Sequence, residues 1–281
     1  MRAESHAVAV AAQPLRYDEV VVGGLKTACL SRGGLVRVMV EDCLAARGNA
    51  RRLPRLVFTT NGHSIAMAAT DPDFRRHLDA ADLLHADGQP AVFASRFTRT
   101  PIPERTATTD FIHDAAKAAQ GASLRFYLLG ATEEINARAS WELMRLYPDL
   151  QIVGRRNGYF APSDESAICD RINASGADVV WVGLGVPKEM AFSVRNKHRL
   201  NAGWIVTCGG CFNFLAGDYA RAPQWMQAAG VEWLHRLLRE PKRLFLRYAV
   251  TNPMALFLLL TRTHSLPRGR APEAVLAPEV P

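Results

Sequence analysis

Short apolar runs alternate with longer helix-patterned segments along most of this chain, and that alternation constrains its fold more than any other feature. Leu56–Thr59, Asp82–Ala86, Arg125–Leu129, Gln151–Val153, Val179–Val182 and Trp204–Val206 read as strands. Between and after them, Asn136–Tyr147, Ser163–Ala174 and Pro187–Leu200 have helical spacing, with Ser163 and Pro187 as start signals. Strands alternating with helices predict an α/β fold, a Rossmann-like core in which a parallel sheet carries helices on both faces. Such sheets bind ligands beyond the carboxyl ends of their strands, above all where strand order reverses. Three motifs fall at those ends: Thr59-Thr60-Asn61, Asp87-Gly88 and Gly183-Leu184-Gly185.

A chain of 281 residues, 48% hydrophobic and 22% charged, has enough apolar material for a proper core. Its 34 Lys and Arg against 27 Asp and Glu give a net charge of +7, which favours phosphates, anionic lipid or nucleic acid as partners. The five cysteines are an odd number and only Cys208 and Cys211 are closely spaced, so neither a disulfide framework nor a four-thiolate zinc site is expected. A reducing cytoplasm fits that usage. Ala7–Ala12 is too short and alanine-rich for a signal peptide. The longest apolar run, Met254–Leu260, falls short of the roughly 20 residues a spanning helix needs, so the chain is expected to lie on a membrane without crossing it. The expected organisation is a flexible N-terminus over 1–16, the α/β core over 17–218, a basic amphipathic appendage over 219–265 and a disordered Pro-, Ala- and Glu-rich tail over 266–281.

Several local motifs carry chemistry. Asp87 follows a strand, where its carboxylate either points into the ligand crevice or only opens an Asp-Gly turn. Asn61 reads as a helix N-cap. Gly183-Leu184-Gly185-Val186-Pro187 joins a strand to a helix and leaves backbone N–H groups free for a nucleotide diphosphate. It lacks the third glycine and the ribose-binding acid of a dinucleotide site, so hydride transfer is not expected. Asn157-Gly158-Tyr159-Phe160 is a turn pair before two aromatics. Cys208-Gly209-Gly210-Cys211 is formally a CxxC, but no second pair exists and its glycines suit close backbone approach to a ligand. Arg236, Arg239, Arg243 and Arg247 share one helical face if Pro241 begins or only bends a helix. They form either a stripe that grips phosphate oxygens or an ordinary solvated basic face. Trp233, Leu237, Leu244, Phe245 and Phe257 add apolar surface suited to a bilayer interface. Asp71-Pro72-Asp73 is formally Asp-x-Asp but reads as a helix start with Pro72 in its first turn, so no metal is expected.

The segment Gly209–Gly217, followed by Arg221-Ala222-Pro223, Trp225, Glu232-Trp233, Arg236, Glu240-Pro241 and Arg243, resembles the WecB/TagA/CpsF family, glycosyltransferase family 26. Asn157–Phe160 and Val182–Lys188 extend the resemblance, which runs in the family's order from about Tyr17 to about Tyr248. It implies an inverting glycosyltransferase of bacterial polysaccharide assembly, peripheral on the cytoplasmic membrane face, with no cofactor and no nucleic-acid partner, and with self-association open. The transferred group would be a hexose (glucose, N-acetylmannosamine or its uronic acid), moved from a UDP-sugar to a polyprenyl-diphosphate-linked glycan. The resemblance makes Asp87 the catalytic base, gives Thr59 and Asn61 to a bound sugar and Arg105 to a phosphate, and places Asn157 and Tyr159 near the donor. It adds Gly183, Gly185, Lys188, Glu189, Gly209, Gly210, Phe212 and Arg221 as substrate contacts, and Arg236, Arg239, Arg243 and Arg247 as holders of the lipid diphosphate. The chain departs from the family pattern at Ala107 or Thr108 in place of glycine, at Glu189 and Met190 in place of Gln and Glu, and at Asn213 in place of Asp. Those departures favour a glucosyl or related exopolysaccharide branch over the teichoic-acid type. Two other classes stay open: a nucleotide-sugar epimerase, which needs the missing dinucleotide fingerprint, and a nucleic-acid-binding protein, suggested by the basic charge alone.

Overall fold

A computed structural model describes residues 17–49 and 52–266, so the N-terminus expected over 1–16 and all of the expected tail but Leu266 lie outside the described residues. The chain opens with a hairpin of β1 (Glu19–Val22) and β2 (Leu25–Ala28), then helix α1 (Arg32–Arg47), whose first turn is capped by Ser31. Strand β3 (Arg55–Thr60) leads into α2 (Gly62–Thr70) and α3 (Pro72–Asp79), and β4 (Leu83–Ala86) into α4 (Gln89–Ser95) and α5 (Thr108–Ala122). Three strand–helix units follow: β5 (Arg125–Gly130) with α6 (Glu133–Leu146), β6 (Gln151–Arg156) with α7 (Glu165–Ser175), and β7 (Val179–Gly183) with α8 (Lys188–Asn196). Strand β8 (Trp204–Thr207) and α9 (Cys211–Leu215) complete the core, and α10 (Gln224–Ala228), α11 (Glu232–Arg239), α12 (Pro241–Thr261) and β9 (His264–Ser265) close the described chain.

Six strands form one parallel sheet in the order β4-β3-β8-β7-β5-β6, the α/β architecture that the alternation of runs predicts. Alternate side chains feed two cores. Val57, Trp181 and Val206 pack with Phe111 of α5, Met39 of α1 and Leu143 of α6, whereas Phe58, Val182 and Ile205 pack with Ile65 of α2, Phe74 of α3 and Met190 of α8. Every residue of β7 is buried, which is why such strands read as unbroken apolar runs rather than alternating ones. The second core also takes in Ala255, Leu258 and Leu259 of α12, so the last long helix is part of this packed unit. Asp71 accepts from the N–H groups of Asp73 and Phe74, with Pro72 at the first position of α3. The Asp-x-Asp triplet is therefore a helix start.

The structure differs from the sequence reading in three places. Ser163 lies in a short 3₁₀ turn, Pro162–Asp164, and α7 begins at Glu165. A second, antiparallel sheet in the order β2-β1-β9 brings the end of the described chain back to its beginning. The Met254–Leu260 run is only the last third of α12, a 21-residue helix that continues through Pro253. By length and composition α12 is long and apolar enough to cross a membrane. Here its inner face covers α2 and α4, and Phe245, Leu246, Val250, Phe257 and Leu260 are each at least 60% exposed on its outer face.

Candidate active site

Asp87 stands one residue beyond β4, level with the end of β3, where its N–H donates to the Thr60 carbonyl at 3.0 Å and three further contacts fix it. Its Oδ1 accepts from the Thr108 N–H at the start of α5 at 3.1 Å, and its Oδ2 lies 3.5 Å from Asn61 Nδ2. Its carbonyl oxygen accepts from Arg105 Nε at 2.6 Å. Asn61 serves three neighbours. Its Oδ1 accepts from Ser64 N–H at 3.0 Å to cap α2, as its sequence position predicts, while its Nδ2 turns towards Asp87 and, at 3.4 Å, towards Thr59 Oγ1. Thr59, Asn61, Asp87 and Arg105 are thus brought together.

His85, two residues before Asp87, is fully buried with Nδ1 2.9 Å from the Thr106 carbonyl. Thr106 N–H in turn donates to the Ala86 carbonyl at 2.8 Å, which pins the segment carrying Arg105 and Thr108 against β4. Burial lowers the His85 imidazole below its ordinary value, while the charge of Asp87 pulls the other way. A neutral ring suits this packed position beside Phe111. Sequence reasoning passed over His85, since a lone histidine in a strand gives no local signal of what it supports.

The β7–α8 and β8–α9 turns form the next part of the crevice. Gly185 and Gly209 both have positive φ, +77° and +50°, and both point their N–H groups at Glu189 Oε2, each at 3.0 Å. Glu189 is buried, and that burial pushes its carboxyl up to about 8, although the N–H groups of Gly209, Gly185 and Leu184 pull it down. Its carboxyl therefore ties the two glycine turns together. Phe212 is also fully buried, whereas Lys188 and Gly210 are exposed at the crevice rim. Asn157 and Tyr159 follow β6, at the opposite edge of the sheet from β4. The segment folds back over the sheet, because Gly158 N–H donates to the Ala131 carbonyl at 2.8 Å, just beyond β5 and beside Leu184 of the β7–α8 turn. Asn157 Oδ1 accepts from Tyr159 N–H at 3.1 Å, and the Tyr159 side chain is exposed.

The C-terminal helices cover the β4 side. Arg221 donates to Asp110 Oδ1 at 2.9 Å, to Gln227 Oε1 at 2.6 Å and to Thr109 Oγ1. Glu232, the first residue of α11, accepts from Arg105 Nη1 at 2.8 Å and lies 3.8 Å from Arg221 Nε. Its position 127 residues from Arg105 hid this pairing from sequence reasoning. The four-arginine stripe is divided between two helices, because Glu240 breaks the path between α11 and α12. Arg236 lies over the Phe214 ring, Arg243 pairs with Glu240 at 2.6 Å, and Arg239 is exposed. Arg247 turns inward, where burial and its charge lower His63 to about 4. Among the described residues, the buried atoms Arg221 Nε, Arg247 Nε, His63 Nδ1, His235 Nδ1 and Thr108 Oγ1 have no hydrogen-bond partner. Asp87 at the strand ends, with these unpartnered polar atoms around it, fits a polar, anionic ligand.

A family model described as "Glycosyl transferase WecG/TagA/CpsF family" matches residues 20–269. Two similar relatives bear the name N-acetylglucosaminyldiphosphoundecaprenol N-acetyl-beta-D-mannosaminyltransferase. The one from Bacillus spizizenii is 29% identical over 187 residues, covering 66% of this chain and 72% of the relative. The one from Bacillus subtilis is 26% identical over 193 residues, covering 69% and 75%.

Proposed function

The chain belongs to the WecG/TagA/CpsF family of glycosyl transferases, and on that premise we propose that it moves a hexose from a UDP-sugar to a polyprenyl-diphosphate-linked glycan with inversion. The observation that carries this reading is Asp87 held by Thr108 N–H and Asn61 at the mouth of the crevice. A sugar hydroxyl is a poor nucleophile until its proton is removed. Asp87 takes that proton as the acceptor oxygen bonds to the anomeric carbon, and the bond from that carbon to the diphosphate oxygen breaks. Attack from the face opposite the leaving UDP inverts the anomeric configuration. The leaving diphosphate gathers negative charge, and Arg247, whose Nε–H has no hydrogen-bond partner, and Arg221, whose Nε–H faces Glu232 at 3.8 Å without a hydrogen bond, are suited to receive it. Thr59 and Asn61 orient the reacting sugar, and Gly185 and Gly209–Gly210 offer backbone room for the nucleotide, while Gly183 packs against the Gly209 carbonyl and the Phe212 ring.

The protein works from the cytoplasmic membrane face. The exposed apolar side of α12, with Lys242 and Arg243 at its first turn, lies in the bilayer interface and presents the lipid diphosphate to the crevice. The relatives' names make N-acetylmannosamine the first donor to test and a lipid-diphosphate-linked N-acetylglucosamine the first acceptor; glucose is the next donor. The test is transfer by the purified protein from a panel of UDP-sugars to that acceptor, with and without EDTA. Transfer from one donor, surviving EDTA, is the expected result. No transfer from any donor, by folded protein on an acceptor that a related enzyme can extend, would overturn the reading.

A further inference from the structure

We propose that Glu232 is a positioning residue, whose carboxylate couples docking of the C-terminal helices to the geometry of Asp87. The inference rests on the reading of Asp87 as the base. Glu232 enters the crevice at the first position of α11 and meets two guanidinium groups at once, Arg105 at 2.8 Å and Arg221 at 3.8 Å. Each arginine is bonded to a different side of the Asp87 environment. Arg105 holds the Asp87 carbonyl oxygen at 2.6 Å. Arg221 holds Asp110 and Thr109, the residues after Thr108, whose N–H donates to the Asp87 carboxylate. One carboxylate from the C-terminal segment therefore braces both supports of the base.

Burial gives this arrangement weight. The Glu232 side chain is 14% exposed and that of Arg105 19%, so their charges are less screened than those of a surface pair. α11 has no buried residue of its own, so little apolar packing competes with this pair in fixing where the helix starts. A simple anchor would hold α11 on the core and do nothing further. A positioning residue must also set the first turn of α5 and the rate of the chemical step.

Those roles separate in one set of full-length variants: Glu232→Ala, Glu232→Gln, Arg105→Ala and Glu232→Ala with Arg105→Ala. Glu232→Ala should lower kcat about 10- to 100-fold, the scale for slight misplacement of a reacting group, with little change in KM for the UDP-sugar. Glu232→Gln, which still accepts a hydrogen bond, should recover part of that loss. The double variant should lose less than the product of the two single losses, because the Arg105–Glu232 pair is already broken in each single variant. Hydrogen exchange supplies a readout without turnover: the amides of Thr108–Phe111 should exchange faster in Glu232→Ala. Unchanged exchange there, or losses that simply add in the double variant, would overturn the proposal. Faster exchange in a protein that transfers no sugar at all would instead leave the linkage standing and remove the assigned reaction.

Discussion

The strand-borne side of the crevice and the C-terminal helices that face it are held by different forces. His85 and Thr59 belong to strands whose side chains are buried on both faces of the sheet, and Asp87 follows directly from one of them. Their places are set by ladder hydrogen bonds and close packing, which leave little freedom. By contrast α11 buries none of its residues, and α12 buries Leu244, Ala255, Leu258 and Leu259 while leaving Phe245, Leu246, Val250, Phe257 and Leu260 exposed. Charged pairs from Arg105 and Arg221 to Glu232 join the two sides. Precise chemistry is thus assigned to the rigid side, and adaptable contact with a lipid to the side with apolar surface to spare.

The sharpest break in that comparison is at Asp87. Asp87→Asn keeps the size of the side chain and can still accept from Thr108 N–H, though its amide nitrogen then meets Asn61 Nδ2 donor to donor, and it should cut turnover by about 10² to 10⁴, the usual range for lost general-base help. Donor binding, read by calorimetry with UDP, should persist, and near-normal turnover would remove Asp87 from the role. Within α12 the same contrast can be read as stability. Leu258→Ala, on the inner face at 2% exposure, should cost about 2–5 kcal/mol in denaturant unfolding. Leu260→Ala, 77% exposed, should stay within about 0.5 kcal/mol. Equal costs at the two positions would mean that the outer face is covered as well.

A smaller effect lies in pH. The Glu189 carboxyl, raised by burial to about 8 in the folded state, binds its proton more tightly there than in the unfolded chain. Its contribution to stability is therefore complete below the ordinary carboxylate range and is lost as pH rises through about 8. Glu189→Gln can still accept from Gly185 and Gly209 without carrying charge. It should be more stable than the parent at pH 8 by at least about 1 kcal/mol, with the gap closing near pH 5. A gap independent of pH would show that Glu189 does not titrate in that window.

The sheet was legible because strands buried on both faces leave continuous apolar runs, whereas position alone left Asp87 between a crevice carboxylate and an Asp-Gly turn, and the resemblance made it the proposed base. What escaped has physical causes. The β2-β1-β9 sheet depends on a two-residue strand pairing about as far along the chain as pairing can reach, and two residues carry no pattern. α12 shows in the sequence only as a short apolar run because Asn252 and Pro253 look like a break, yet the helix carries Pro253 in its interior. Glu240 separates Arg236 and Arg239 from Arg243 and Arg247, so spacing alone could not say that one face becomes two helices. Glu189 folds back onto the N–H of Gly185, four residues earlier, a local contact that the sequence could have suggested; its second contact, with Gly209, could not be seen without the sheet.

The division of labour between the two sides is tested most directly by replacing two outward-facing residues, Phe245→Glu with Leu246→Glu, which are 65% and 74% exposed and so should leave the fold intact. Transfer would be measured side by side onto a long polyprenyl-diphosphate acceptor in vesicles and onto a short-chain water-soluble analogue. Loss of at least about tenfold on the vesicle acceptor alone, with the soluble one extended at the parent rate, is the expected result. Equal rates on both acceptors, or equal loss on both, would contradict the assignment of lipid contact to the C-terminal helices and chemistry to the strand ends.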